Sequence, residues 1–387
     1  MNDLQARRRF LQFLAASPLA ALPADMAWAY PDRAQPQSLR EILNIFQLDK
    51  VCQRTLSRES YHFIVGAADD GLTKLANREA YAKVRLRPRR LVDVSRIDTS
   101  LTLFGKQYRS PILLAPVGNQ QEVHPEGELA TAKAALKRKH LMICSMMTNA
   151  SIGEIAATGG DYWFQLYVSP NREFSKKVMD DAAAAGCDTI AITIDGTGDR
   201  NLEAARWFKK TRDKSQPAKP VRIGNFENFN GKRGIGDATL TWDDLAWFRD
   251  NTRLKLVLKG IVTAEDARLC RKYGMDGLIV SNHGGRQEGS GRGTLDVLPK
   301  IVSELKGRMP ILLDGGIRRG SDAYKALALG ADAICIGRPY LWGLGAFGQE
   351  GVEKALTILQ AELIRTMRFA GTTTLAAINK EYIWIDG

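Results

Sequence analysis

Apolar positions along this chain gather into eight short, almost uninterrupted runs that recur from residue 111 onward. They are PILLAPV (111–117), LMICSMM (141–147), YWFQLYV (162–168), TIAITID (189–195), LKLVLKG (254–260), GLIVSNH (277–283), PILLDGG (310–316) and AICIGRP (333–339). Runs of this length, rich in Ile, Leu and Val and without polar alternation, read as parallel strands buried on both faces. The segments between them carry apolar residues at helical spacing, as in GELATAKAALKRK (127–139), REFSKKVMDDAAAAG (172–186), AEDARLCRKYG (264–274), DVLPKIVSELKG (296–307) and SDAYKALALG (321–330). Several end at glycine, which tolerates the left-handed residue that closes a helix. The pattern predicts an α/β fold, a single (β/α)8 TIM barrel over residues 111–387. A doubly wound sheet is the competitor, and the absence of a switch in the pattern argues against it.

Three stretches stand outside this rhythm. Residues 30–110 contain SLREILNIFQL and ESYHFIVGAADDGLTKLANREAYAKV, which predict an N-terminal helical extension packed on the barrel or capping one end. A long insertion after the fourth run includes KKTRDKSQPAKPVRIGNFENFNGKRGIGD, basic, rich in Gly and Asn and poor in apolar residues. It predicts a partly mobile loop over the barrel mouth, a lid or an interaction segment. Residues 1–29 combine Arg7, Arg8 and Arg9, an apolar run from Phe10 to Leu22 and the small-residue site Ala27-Trp28-Ala29. That order resembles a twin-arginine-type signal peptide, which implies export to the periplasm of a protein already folded.

Composition narrows the function. With 387 residues, 44% hydrophobic and 25% charged, the chain has the make-up of a soluble globular protein. A net charge of +12 suits an anionic cofactor, an acidic substrate or a membrane surface. No zinc-finger or RNA-recognition spacing is present, so no nucleic-acid partner is expected. The five cysteines form no CxxC pair and read as buried free thiols, without a c-type haem or a zinc ribbon. His124 and His140 have no partners at metal-ligand spacing, and no metal is expected.

In TIM barrels the chemistry collects where strands end and the following loops begin. Those positions here hold Ser145, Gln165, Tyr167, Thr193, Asp195, Lys259, Ser281, His283, Arg286 and Asp314. DGGIRRGSD after the seventh run and IGRP after the eighth combine glycines with Arg318 and Arg338, a pairing suited to phosphate.

SNHGGRQ (281–287), with LVLKGIVTAEDA before it, LLDGGIRRGSDAYKALALGADAICIGRP after it, and APVGNQQEVHPEGELATAKAA and WFQLYV upstream, closely resembles the FMN-dependent 2-hydroxy-acid dehydrogenases and oxidases. Glycolate oxidase, lactate oxidase and dehydrogenase, and mandelate dehydrogenase belong to that family, and the likeness runs from about residue 40 to the C-terminus. The resemblance implies an enzyme that oxidises an L-2-hydroxy acid to the 2-keto acid. It makes His283 the base, Arg286 the partner of the substrate carboxylate, Lys259 the cation beside the flavin, Asp195 the partner of His283, and Tyr167 a substrate contact, with Arg200 the candidate second substrate arginine. Pro116, Val117, Ser145, Gln165, Thr193, Ser281, Asp314, Gly316, Arg318, Gly337 and Arg338 would hold FMN. The chain departs from the family at the substrate side: His62 stands where a tyrosine is usual, the fourth strand continues as DGTGDRNLEAARW, and EGSGRGTLDVLP follows SNHGGRQ. These departures imply a substrate other than glycolate or lactate.

The electron acceptor is expected to be oxygen, a quinone or a carrier protein, with peripheral membrane contact through the basic insertion at 209–233 one route to a quinone. Homo-oligomers are frequent in the family. The alternative readings are an FMN barrel acting on a different substrate class and a non-catalytic periplasmic flavin-binding protein.

Overall fold

The computed structural model describes residues 36–196, 200–211 and 221–385. The export signal read at 1–29 lies outside the described residues. The chain first forms helices α1 (Ile45–Thr55), α2 (Arg58–Val65) and α3 (Leu72–Ala82), then strands β1 (Val84–Leu86), β2 (Leu101–Leu103) and β3 (Lys106–Tyr108). Side-chain caps begin the first two helices. Asn44 accepts from the Gln47 amide at 3.1 Å and Ser57 from the Ser60 amide at 3.1 Å.

Eight strands follow: β4 (Ile112–Leu114), β5 (Met142–Ser145), β6 (Tyr162–Tyr167), β7 (Thr189–Thr193), β8 (Lys255–Ile261), β9 (Gly277–Val280), β10 (Ile311–Asp314) and β11 (Ala333–Ile336). Each overlaps one predicted apolar run, and they pair in parallel, in chain order, until β11 meets β4 and closes the barrel. The helices between them are α4 (Gly127–Arg138), α5 (Ile152–Ala156), α6 (Arg172–Ala184), α7 (Glu203–Thr211), α8 (Leu245–Asp250), α9 (Ala264–Lys272), α10 (Thr294–Leu305) and α11 (Gly320–Ala328). A long α12 (Arg338–Ala370) and a short β12 (Ile383–Ile385), antiparallel to β1, end the chain.

Successive side chains of a strand face opposite ways, and the buried residues divide accordingly. Leu113, Ile143, Trp163, Ala191, Val257, Ile279, Leu312 and Ala333 form one cluster inside the barrel. Their neighbours, such as Ile112, Cys144, Phe164, Ile190 and Leu258, belong to a larger cluster with the surrounding helices. The β2–β3 hairpin joins the inner cluster through Leu103 and Tyr108 and so plugs one end of the barrel. The other end is left for chemistry. All five cysteines are free and buried, as the spacing implied.

Helix α12 bends sharply at Phe347 (φ −146, ψ 23) and Gly348 (φ 57, ψ −139). The bend brings two turns of the helix together at glycines, so close that a Cβ on Gly351 would lie 1.9 Å from the Gly343 carbonyl oxygen. Only hydrogen fits there. Gly351→Ala is expected to destabilise the fold by about 1–3 kcal/mol, the usual cost of overpacking, seen as a lower urea midpoint at unchanged slope.

Candidate active site

The inner cluster continues upward into polar residues. Two positions beyond Ile143, Trp163, Ala191, Val257, Ile279 and Leu312, and so facing the same way, stand Ser145, Gln165, Thr193, Lys259, Ser281 and Asp314, all buried. Two further along lie Tyr167 and Asp195. The strand pleat thus turns the top layer of the barrel core into the floor of a site. β8 is irregular between Lys259 and Ile261, and Gly260 takes φ 116 there. A Cβ at Gly260 would come within 2.9 Å of the Asp195 side chain, so the bulge lets β8 pass close beside it.

Lys259 sits at the centre with 3% of its surface exposed. Its ammonium donates to Ser281 Oγ at 3.0 Å and lies 3.8 Å from Asp314, and Ser281 Oγ donates to Asp314 at 2.7 Å. Burial opposes the charge on Lys259, but Asp195 and then Asp314 outweigh it and push the lysine above its ordinary range. Burial likewise opposes ionisation of Asp195, yet Lys259 and His283 bring its carboxyl down to about 2.

His283 follows β9 in a left-handed conformation, φ 57, uncommon for a residue with a side chain. Its backbone N–H donates to Ser281 Oγ at 3.1 Å. Its Nδ1 lies 3.1 Å from Asp195 Oδ1, and its Nε2 lies 3.3 Å from the Tyr167 hydroxyl. Because Asp195 is ionised, Nδ1 carries the proton and donates, leaving the Nε2 lone pair free to accept one. Burial, and then the Lys259 charge, hold the imidazole below the usual histidine range against the opposing pull of Asp195. The ring is therefore neutral at pH 7 and competent as a base.

A cavity of about 640 Å³ opens above this floor. Pro116, Val117, Ser145, Tyr167, Arg200, Lys259, His283, Arg286, Asp314, Gly316, Arg318, Gly337 and Arg338 line it. Gln165, Thr193, Asp195 and Ser281 stand directly behind, each bonded to or paired with a lining residue. All the residues expected at the site are thus gathered in one place.

On one side the guanidinium groups crowd. Arg338 donates to the carbonyls of Ile64, Gly284 and Gly66, and Arg286 Nη1 donates to those of Phe63 and Gly66 at 2.8 and 3.2 Å. The carbonyls of Phe63, Ile64 and Gly66 end helix α2, where the peptide dipoles leave a partial negative charge. Arg318 lies over the Trp342 ring, 4.7 Å from its centroid. Burial lowers Arg318 to about 10, with Arg78 adding to it, and lowers Arg338 well below its ordinary value, with Arg318 and Arg286 adding to it. Buried like charges of this kind call for an anion.

The unpartnered groups show what else the cavity accepts. Among the described residues five buried side-chain polar atoms lack a hydrogen-bond partner, and three of them, Gln165 Nε2, Thr193 Oγ1 and Asp314 Oδ1, are here. Each such atom costs about 1–3 kcal/mol until something bonds to it. An amide donor, a hydroxyl, a carboxylate and the Lys259 ammonium on the floor, with arginines at one end, fit an FMN: polar edges of a ring system over the floor, phosphate at the arginines. Gly315 and Gly316, at φ 101 and 78, provide the close backbone approach at that end.

Two features escaped the strand-end reading. Asn77, on α3, exchanges amide hydrogen bonds with Asn282 at 2.8 and 3.0 Å and accepts from the Thr294 amide at 3.0 Å. Asn282 in turn accepts from the Gly285 amide at 3.2 Å, so this pair braces the turn that carries His283. The signal lay in the helix itself: Thr73, Asn77, Ala80 and Tyr81 form its buried stripe, and a buried polar residue needs a partner. The second is the latter part of the insertion. Val221, Ile223, Ile235 and Gly236 line the cavity, although the segment was expected to be a partly mobile loop. Conversely, His62 packs on Phe208, ring centroids 5.2 Å apart, and Tyr61 donates to Asp49 at 2.8 Å. Neither lines the cavity, whereas Phe63 does.

Residues 52–385 match the family described as FMN-dependent dehydrogenase. The chain is 40% identical over 337 residues to 2-hydroxyacid oxidase 2 of Bos taurus, covering 85% of this chain and 94% of that protein. It is 36% identical over 359 residues to L-lactate oxidase of Nostoc sp., covering 88% and 98%. Among solved structures, a soluble mutant of the membrane-associated (S)-mandelate dehydrogenase from Pseudomonas putida superposes with TM-score 0.83 at 35% identity, covering 89% of this chain and 99% of that one. Mandelate oxidase with (S)-2-phenylpropionate gives TM-score 0.81 at 34% identity, covering 87% and 97%.

The crowded arginines generate a binding prediction. FMN at 100 times its dissociation constant should stabilise the apoprotein by about 2.7 kcal/mol, read as a rise in melting temperature. Arg318→Leu should remove most of that rise while leaving the melting temperature of the apoprotein unchanged or higher, because a buried like charge has gone.

Proposed function

The chain belongs to the FMN-dependent dehydrogenase family, whose members here are FMN oxidoreductases of 2-hydroxy acids, and on that premise we propose that it oxidises an L-2-hydroxy acid to the 2-keto acid with His283 as base and Arg286 on the substrate carboxylate. The observation that carries this reading is the His283–Asp195 pair, its Nε2 beside the Tyr167 hydroxyl in a cavity that Arg286 also lines. Oxidation of the alcohol to the ketone releases two protons, one from the α-carbon and one from the hydroxyl, and two electrons; FMN, when bound, would take up the two electrons and one proton, leaving the other proton to the protein. His283 accepts a proton from either the hydroxyl or the α-carbon, and Asp195 stabilises the imidazolium that forms. Arg286 and Arg200 hold the carboxylate. The Tyr167 hydroxyl, kept neutral by burial above all, orients the substrate oxygen. Lys259 would supply positive charge to stabilise a reduced, anionic ring system. Ser145, Gln165, Thr193 and Ser281 would bond the ring system, while Arg318, Arg338, Gly316 and Gly337 would hold the phosphate end.

The carboxylate corner differs from the family pattern. His62 is turned into Phe208, and the place beside Arg286 is taken by Phe63, with the guanidinium 5.8 Å from its ring centroid. This supports a substrate other than glycolate or lactate. Oxygen, a quinone or a carrier protein accepts the electrons. The exposed Trp207 beside Lys209 and Lys210 on α7 supports contact with an anionic membrane in the periplasm, within reach of a quinone.

Anaerobic bleaching of the bound flavin by an added L-2-hydroxy acid, with the 2-keto acid as product, tests the reading; a flavin that no such acid reduces would overturn it. Because His283 works as a neutral base, kcat/KM should rise with pH through its ionisation and stay level above it. Burial and Lys259 set that limb below the ordinary histidine value of about 6.5. Asp195→Asn removes the group that raises the histidine. It should move the limb further toward acid and lower kcat by about 10²-fold or more. Arg286→Lys keeps the charge but loses the planar fork, and KM should rise at least about tenfold with a smaller change in kcat.

A further inference from the structure

The latter part of the insertion is anchored like a regular element although it contains neither strand nor long helix. At one end the Gly224 amide donates to the Thr148 carbonyl at 3.1 Å, Asn149 Nδ2 donates to the Arg222 carbonyl at 2.9 Å, and the Ile152 amide donates to the side chain of the buried Asn225 at 2.7 Å. A Cβ on Gly224 would meet the Ser151 amide nitrogen at 2.2 Å, so backbone lies on backbone. In the middle, Phe226 and Phe229 pack on Phe174 with ring centroids 5.0 and 4.9 Å apart. At the other end the Gly236 amide donates to the Val168 carbonyl at 3.0 Å, Asn171 Nδ2 donates to the Lys232 carbonyl at 3.1 Å, and buried Asp237 pairs with Arg172 at 3.0 Å. The segment is strapped across the ends of β5 and β6.

Resting on the reading of the preceding subsection, we infer that this strap, through Ile223, Ile235 and Val221, forms the wall that receives the substrate's α-substituent and selects 2-hydroxy acids whose substituent is bulky and apolar. The two polar substituents of the reacting carbon have their places. The carboxylate goes to Arg286 and Arg200, and the hydroxyl to His283 and Tyr167. The third substituent is left with the rest of the lining, to which Val221, Ile223 and Ile235 contribute branched apolar side chains. Ile235 adjoins Gly236, which is bonded beside Tyr167, and Ile223 adjoins the loop that carries Met147. Val221 and Ile235 keep 51% and 46% of their surface exposed at the mouth, apolar area that a substrate would cover. Arg222, next to Val221 in the chain, is occupied by Glu154 at 3.0 Å and Glu227 at 2.8 Å.

The test uses the FMN-loaded protein and two series. Acetate, butanoate and phenylacetate, which lack the hydroxyl and cannot turn over, are titrated by calorimetry; glycolate, L-2-hydroxybutanoate and L-phenyllactate are compared by anaerobic flavin bleaching. Affinity should increase roughly fourfold per buried methylene, so that phenylacetate binds at least about tenfold tighter than acetate. Bleaching efficiency should follow the same order. Ile223→Ala and Ile235→Ala should each shrink the phenylacetate-to-acetate ratio several-fold, with circular dichroism and melting temperature confirming the fold. Equal affinities across the series, or a ratio that neither variant changes, would overturn the inference. If the carboxylates keep the expected order but no hydroxy acid bleaches the flavin, the wall stands and the proposed reaction falls.

Discussion

Lys259 carries a positive charge on a side chain that is almost wholly buried, and most of the site is arranged around keeping it there. A buried ammonium is costly unless paired and hydrogen-bonded. Four neighbouring strands meet that cost together. β8 brings the lysine, the end of β7 brings Asp195, the end of β9 brings Ser281 and β10 brings Asp314. Ser281 spends its hydroxyl between the lysine and Asp314 and still accepts the His283 amide. Asp195, fixed in its ionised form by the same charge, is free to orient the imidazole. One cation therefore sets the protonation of Asp195, the tautomer of His283 and, through Ser281, the position of the His283 backbone. The left-handed conformation of that residue persists because Ser281 on one side and the Asn77–Asn282 pair on the other over-determine it.

The opposite end of the cavity has the reverse problem, positive charge without enough negative charge. Arg338 and Arg286 both lean on the last carbonyls of α2, a partial charge at best. A phosphate or a carboxylate would answer these groups better than a helix end does. Sharing α2 in this way also ties the two arginines together. Helix α2 belongs to the N-terminal extension, so that extension is part of the site and not merely its cover.

The barrel was readable because its signal is physical and local. Strands buried on both faces must be apolar throughout, and the chemistry must then appear where the apolar run stops. That is why Ser145, Gln165, Lys259 and Asp314 could be picked out by position, and why the pleat places them on one floor. Asn77 could not be reached by that rule, since it acts from a helix outside the barrel through a partner 205 positions away. The β2–β3 hairpin and the doubled-back α12 were missed for another reason. Three-residue strands carry almost no periodicity, and the bend at Gly348 depends on tertiary contact between Gly343 and Gly351 that no local pattern shows. The composition of the insertion, rich in Gly, Asn and Lys, gave no sign of how residues 221–237 are held. Their order comes from hydrogen bonds to the loops after β5 and β6, in which Gly224, Asn225 and Gly236 take part.

The two sides of the cavity differ in what builds them. The floor comes from strand ends, where each side chain is fixed by the barrel's register and by the Lys259 network, so a change there disturbs several partners at once. The other walls come from α2, from the strap and from the loop after β7, through Phe63, Ile223, Ile235 and Arg200. In this architecture the loop-borne walls can therefore vary while the strand-end floor stays in place. The same division is visible where α2 meets the floor: His62 packs on Phe208 and Phe63 lies beside Arg286, whereas His283 bonds to Asp195 and Lys259 to Ser281 within the strand-end network.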